Sequence, residues 1–230
     1  MAVINIRGYI VDNTTKRTLN HFEKDYGLIV PEATSPEDVK SIIDAAADSE
    51  PIDVMINSPG GYVDSGQEIF TALKKTKRCT VTVESQADSA ASVIAMAGEK
   101  VIMSPVGEIM IHNVSTEGYI MGDFHVFEKE ANALKRTNAA LAEAYVMKTG
   151  MPLDKVLSLM DKETWLTANQ CIELGFADEI LEPSKAKYTN SAGGIQSIKD
   201  FLAKASEIEK QKNSEQRIHQ LLDDLDSYRV

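Results

Sequence analysis

Cysteine, aromatic residues and positive charge are all scarce in this 230-residue chain. There are two cysteines, Cys79 and Cys171, far apart and without metal-ligand spacing. They read as reduced, buried thiols of a cytoplasmic protein, and no metal is expected. Aromatics make up only 6% of the residues, too few to build stacking platforms for single-stranded nucleic acid. Lys and Arg number 24 against 35 Asp and Glu, giving a net charge of −11. Phosphate-rich surfaces repel such a chain, which excludes nucleic acid and anionic membranes as expected partners. No apolar run approaches the ~20 residues of a membrane span. The opening "MAVINIRGYIVD" lacks a basic region followed by a long apolar stretch, so no signal peptide is expected.

Hydrophobic residues reach 43%, enough for a sizeable core. "VINIRGYIV" alternates apolar and polar residues in the manner of a strand. "ATSPEDVKSIIDAA" reads as a helix, with Ser35 placed to cap it, Pro36 in its first turn, and Glu37 and Asp38 at the positive end of its dipole. Strand-like "IDVMINSPGG", helix-like "SGQEIFTALKKT", strand-like "CTVTVES" and a small, apolar helix "SAASVIAMAG" follow. "EKVIMSP" and "EIMIHNV" are two further strands, and a long helix runs over 123–148. "LDKVLSLMD" and "TANQCIELG" read as short helices and "FADEIL" as a strand. This is an α/β chain of repeated βαβ units, which predicts a mostly parallel sheet with helices on its faces. The organisation expected is a domain over 1–182, a polar, Gly-bearing linker over 183–196 and a helical extension over 197–230. The extension shows helical spacing at Ile198, Phe201, Leu202 and Ala205, and again at Ile218, Leu221, Leu222 and Leu225.

Three short stretches carry candidate chemistry. In "NSPGG", the glycines allow backbone N–H groups to approach an anion without a Cβ in the way; the alternative is a tight strand-to-helix turn. A phosphate loop would need a longer glycine pattern with a Lys. In "ADSAASVIAMAG", serines stand where an apolar helix begins, and the free N–H groups there favour a developing negative charge. Ser85, Ser89 and Ser92 could equally be caps or small packing residues. In "IMIHNVSTEG", His112 stands at the end of a strand, the edge where parallel sheets place their ligands, unless it is a packed core residue.

In this order, "INSPGG", "SAASVIAMAG", "IMIH" and "ETWLTANQCIELGFADEI" resemble the Clp protease proteolytic subunits and their phage-encoded relatives, the head-maturation proteases, over roughly Ile4 to Leu181. The resemblance implies a ClpP/crotonase-like fold with a handle helix over 123–148, and a serine endopeptidase that needs no cofactor. It implies Ser92 as nucleophile, His112 as general base, and Gly61 with the Val93 N–H as oxyanion hole. The family's third member is an Asp in "R-D-R-F-[ML]-S"; here "KETWLT" puts Glu163 at that position, with Asp161 as the alternative. It also implies a homo-oligomeric ring packed through the long helix. The early first strand, the insert "DNTTKRTLNHFEKDYGLIVPEATS" and the C-terminal tail depart from the housekeeping subunit. Those departures favour an ATP-independent protease of a phage or prophage, in the host cytoplasm, acting on capsid or scaffold proteins. The competing readings are a housekeeping ATP-dependent Clp subunit, a crotonase-fold acyl-CoA enzyme, and an inactive ring-forming structural subunit.

Overall fold

The computed structural model describes residues 1–76, 78–116 and 118–182. The expected linker and helical extension lie outside the described residues. The chain alternates strands and helices as the βαβ pattern predicts. Strand β1 (Ala2–Ile10) leads into α1 (Asn13–Tyr26), the two-residue β2 (Ala33–Thr34) and α2 (Pro36–Ala45). Then come β3 (Ile52–Gly61), α3 (Val63–Thr76), β4 (Cys79–Asp88) and the six-residue α4 (Ala90–Ala95). Strands β5 (Lys100–Met103) and β6 (Glu108–Ile111) precede the 26-residue α5 (Phe124–Thr149). The described part ends with α6 (Leu153–Asp161), β7 (Thr164–Thr167), α7 (Ala168–Leu174) and β8 (Glu179–Ile180).

Local sequence sets the helix ends. Ser35 caps α2 in a reciprocal capping box with Asp38, with Pro36 in the first turn. Asp123 caps α5, and Gly150 ends it in the left-handed conformation. Thr167 caps α7 in a second capping box with Gln170. Helix α1 falls inside the insert and buries none of its residues. Asp12 caps it by accepting from the Thr14 and Thr15 N–H groups, and Gly27 ends it. Leu19, Phe22 and Tyr26 recur at helical spacing along it, but none of them is buried.

The main sheet is parallel, in the order β2-β1-β3-β4-β5-β8. Strand β4 is shared. Its first half, Thr80–Val83, pairs with β5, and its end, Gln86–Asp88, pairs with β6. Strand β6 then pairs with β7 in antiparallel fashion. Ile4, Ile6, Val54, Ile56, Val81, Val83 and Val101 line one face of the sheet and are almost fully buried with Ile69 and Leu73 of α3. All six residues of α4 are buried too, so this helix is held by packing and not by its own short length. The fork in β4 brings the tip of β4, the start of α4 and the end of β6 to one place.

Candidate active site

That place is built around Ser89, between the last residue of β4 and the first of α4. Ser89 has φ 54° and ψ −123°, a region that non-glycine residues rarely occupy unless their surroundings hold them there. The surroundings do so from both sides. The Ser89 N–H donates to the Met110 carbonyl on β6 at 2.9 Å. The Ser89 carbonyl accepts from the Ser92 N–H at 3.0 Å and the Val93 N–H at 3.4 Å. The sharp turn leaves the side chain partly exposed.

His112 follows the last residue of β6, and its Nε2 lies 2.7 Å from Ser89 Oγ. With the ring proton on Nδ1, Nε2 accepts from the serine hydroxyl, which is the relation between a nucleophile and its base. The sequence expectation paired His112 with Ser92, and the structure does not. Ser92 stands one helical turn further on, fully buried, with Oγ on the Ser89 carbonyl at 2.6 Å and on the Tyr145 hydroxyl at 2.8 Å. The oxyanion expectation shifts with it. Val93 N–H is spent on the helix bond to Ser89, whereas the residue that follows Ser89 is Ala90, whose N–H has no acceptor among the described residues.

The Gly-Gly turn at the end of β3 faces this serine. A Cβ on Gly60 would lie 2.7 Å from Ser89 Cβ, 2.6 Å from the Asp88 carbonyl oxygen and 3.0 Å from the Ala90 nitrogen. Gly60 also has φ +92°, so two independent constraints require glycine there. Its N–H donates to Ser58 Oγ at 3.1 Å, and the buried Ser58 hydroxyl donates to the Gly8 carbonyl at 2.6 Å. This ties the turn to β1. Gly61 packs on the β1 backbone at Ile10, where a Cβ would overlap the carbonyl.

The carboxylates stand further off. Strand β6 ends at Ile111, which pairs with Thr164 at the start of β7, so His112 and Glu163 each lie one residue beyond the same end of that ladder. Glu163 has φ 49°, and its Oε1 accepts from Trp165 Nε1 at 3.4 Å. Asp161 accepts from Asn113 Nδ2 at 2.8 Å. Among the described residues neither carboxylate hydrogen-bonds to His112, so the structure holds a serine–histidine pair with its third partner not engaged. Asn113, the residue after the histidine, was not singled out in the sequence. Neither was Asp88, whose Oδ1 is buried without a partner. Burial pushes the Asp88 carboxyl up to about 6, and the nearby Glu108 charge pushes in the same direction.

Among the described residues, no group of three or more His, Cys, Asp or Glu is placed to hold a metal ion, and no helix is long and apolar enough to cross a membrane. Cys79 and Cys171 are free and buried, and burial pushes both thiols up to about 12.

The Clp protease family model matches residues 37–184, well over half of the chain and all of the site just described. The chain belongs to the Clp protease family. Among similar curated proteins, an ATP-dependent Clp protease proteolytic subunit 1 of Chlamydia muridarum is 31% identical over 157 residues, covering 66% of this chain and 82% of that protein. The proteins of the same name from Protochlamydia amoebophila and Chlamydia pneumoniae are 33% and 34% identical over 135 residues. Those alignments cover 57% of this chain in both cases, and 66% and 71% of the two relatives. Within this Clp protease chain, helix α1 lies before the matched segment, while Gly60, Ser89, His112, Asp161 and Glu163 all lie inside it.

Proposed function

We propose that this chain is a serine endopeptidase in which Ser89 is the nucleophile and His112 the general base. The observation that carries this reading is the 2.7 Å approach of His112 Nε2 to the hydroxyl of a serine held at positive φ. The Ser89 proton passes to Nε2 as Oγ attacks a peptide carbonyl carbon. The resulting oxyanion is held by the Ala90 N–H, with Gly61 as the second donor from the facing turn. The protonated His112 then gives its proton to the leaving amine, and the C–N bond breaks to leave an acyl group on Ser89. Water, deprotonated by His112, releases the acid and restores the serine. Every step uses this chain's own side chains and backbone. Glu163 is the proposed orienting carboxylate, because it and His112 each lie one residue beyond the same end of the β6–β7 ladder.

The substrate is a polypeptide, and the working form is a homo-oligomeric ring. The first turns of α5 support the ring, since Phe124, Val126 and Phe127 are exposed there and a lone surface helix does not need them. The finer reading is an ATP-independent protease of a phage or prophage, acting in the host cytoplasm on capsid or scaffold proteins. It is supported by the insert, which forms a separately capped helix α1 outside the family match. The second reading is an ATP-dependent Clp subunit, and the names of the similar chlamydial proteins favour it.

A fluorophosphonate probe tests the chemistry. The wild-type chain is expected to be labelled, with the adduct on Ser89 by peptide mapping, and Ser89→Ala is expected to lose the label. A label that persists in Ser89→Ala refutes the nucleophile. Degradation of an unfolded protein substrate, with and without a Clp-type ATPase and ATP, separates the two finer readings.

A further inference from the structure

Ser92 is left without a part in the chemistry by its position, yet its hydroxyl is fully buried and makes two hydrogen bonds. A serine hydroxyl carries one proton and two lone pairs. Its proton goes to the Ser89 carbonyl, which can only accept, at 2.6 Å. The Tyr145 hydroxyl, 2.8 Å away, must therefore donate to Ser92. Burial raises the Tyr145 hydroxyl far above its ordinary pKa, so the proton it donates is always present. The direction of the chain is thus fixed: Tyr145 to Ser92 to the Ser89 carbonyl.

This chain of bonds ends on a residue that needs holding. Ser89 is one of two described non-glycine residues with positive φ. As the N-cap of α4 it makes no capping bond with its own side chain, which is committed to His112. Helix α4 is only six residues long and offers little cooperative resistance to rotation of its first peptide. The Ser92 bond to the Ser89 carbonyl is shorter than either backbone bond to the same oxygen. Tyr145 is anchored in turn: it is 2% exposed, and its ring packs on Phe176 with centroids 5.8 Å apart.

We propose that Ser92 and Tyr145 are positioning residues, which lock the peptide that follows Ser89 through a buried relay of hydrogen bonds and so aim the Ser89 hydroxyl at His112. This rests on the reading of Ser89 as nucleophile. The locked peptide is also the one whose N–H, on Ala90, faces the developing oxyanion, so the relay sets both the nucleophile and its oxyanion donor.

The test uses the full chain and the rate at which a fluorophosphonate labels Ser89, expressed per folded molecule, alongside kcat and KM for a peptide substrate. Loss of a positioning bond of this kind is expected to slow labelling roughly tenfold in Ser92→Ala and several-fold in Tyr145→Phe, the smaller change. The loss falls on kcat, with KM and the pH midpoint of labelling unchanged, because the bonds touch neither the substrate nor the imidazole. Ser92→Thr keeps the hydroxyl and restores most of the rate. The double variant labels no more slowly than Ser92→Ala, since Tyr145 acts only through Ser92. Labelling rates within twofold of wild type in both single variants overturn the proposal. So does a double variant whose effect is the product of the two, and so does a lower melting temperature with the rate per folded molecule intact. A label that survives Ser89→Ala refutes the nucleophile itself. A label that Ser89→Ala abolishes and Ser92→Ala leaves at full speed refutes the relay alone.

Discussion

Gly60→Ala is a sharp perturbation of the site because the structure says what the added methyl meets. The ideal Cβ lies 2.7 Å from Ser89 Cβ and 2.6 Å from the Asp88 carbonyl oxygen. Ordinary carbon contacts begin at about 3.5 Å, so the turn and the serine must separate by roughly 0.8 Å. None of the three nearest atoms is the end of a flexible side chain. Alanine at φ +92° also costs about 1–2 kcal/mol in backbone strain. The strain and the overlap together are expected to lower stability by about 2–4 kcal/mol. A displacement approaching 1 Å in a reacting group costs on the order of a hundredfold in rate, and that is the expected loss in fluorophosphonate labelling and peptide hydrolysis. The control is Gly27→Ala at the end of α1, where φ is +63° and a Cβ meets nothing within 4 Å. It should cost about 1 kcal/mol in stability and leave the labelling rate unchanged. The assay is the labelling rate per folded molecule, with thermal melts to count the folded fraction. If Gly60→Ala folds and labels within threefold of wild type, the turn does not face Ser89 as described.

Two further outcomes follow from the carboxylates. Asp88 is raised from an ordinary value of 3.8 to about 6 in the folded chain, so the folded state holds the proton more tightly than the unfolded state. Its contribution therefore favours folding at low pH, falls as pH rises from about 4 to 6, and stays lost above that. Asp88→Asn should remove this fall, which amounts to at most about 3 kcal/mol. Denaturant titrations between pH 4.5 and 7.5 that show equal slopes for the two chains contradict the burial of this carboxyl. Glu163→Gln is expected to lower peptide hydrolysis at least tenfold, while Asp161→Asn, which loosens only the contact to Asn113, should cost far less. Hydrolysis lost in Asp161→Asn alone would transfer the orienting role to Asp161.

The alternation of strands and helices, the ends of α2 and α5, and the place of His112 could all be read from the chain, because each has a local cause: apolar period, a capping side chain, a strand that ends at the histidine. The identity of the serine could not. "DSAAS" carries two serines three residues apart, one turn of the helix they open. Periodicity cannot tell the residue outside the helix from the residue inside its first turn. What separates Ser89 from Ser92 is a backbone angle and the reach of an imidazole from another strand, and both are tertiary facts. Val93 follows from the same displacement, since the oxyanion N–H belongs to whichever residue comes after the nucleophile. Helix α1 was legible and passed over: Asp12 and Gly27 mark its ends, and Leu19, Phe22 and Tyr26 recur at helical spacing between them. The four-residue β7 was too short to stand out, although its pairing with β6 ends one residue short of both His112 and Glu163.

The fork in β4 has a consequence for how this site can vary. Lys100 of β5 pairs with Thr80, and Glu108 of β6 pairs with Gln86, so the sequence offset grows by two residues from one branch to the other. Two is the side-chain period of a strand, so β6 inherits the facing of β5, and His112 is turned toward Ser89 as a matter of parity. A residue added or removed between Ser104 and Gly107 would be taken up in that turn, because the buried Ile109 and Ile111 fix the register of β6 on β4. The short turn before β6 is therefore free to vary in length, while the pairing of β6 with the end of β4 keeps the imidazole at Ser89.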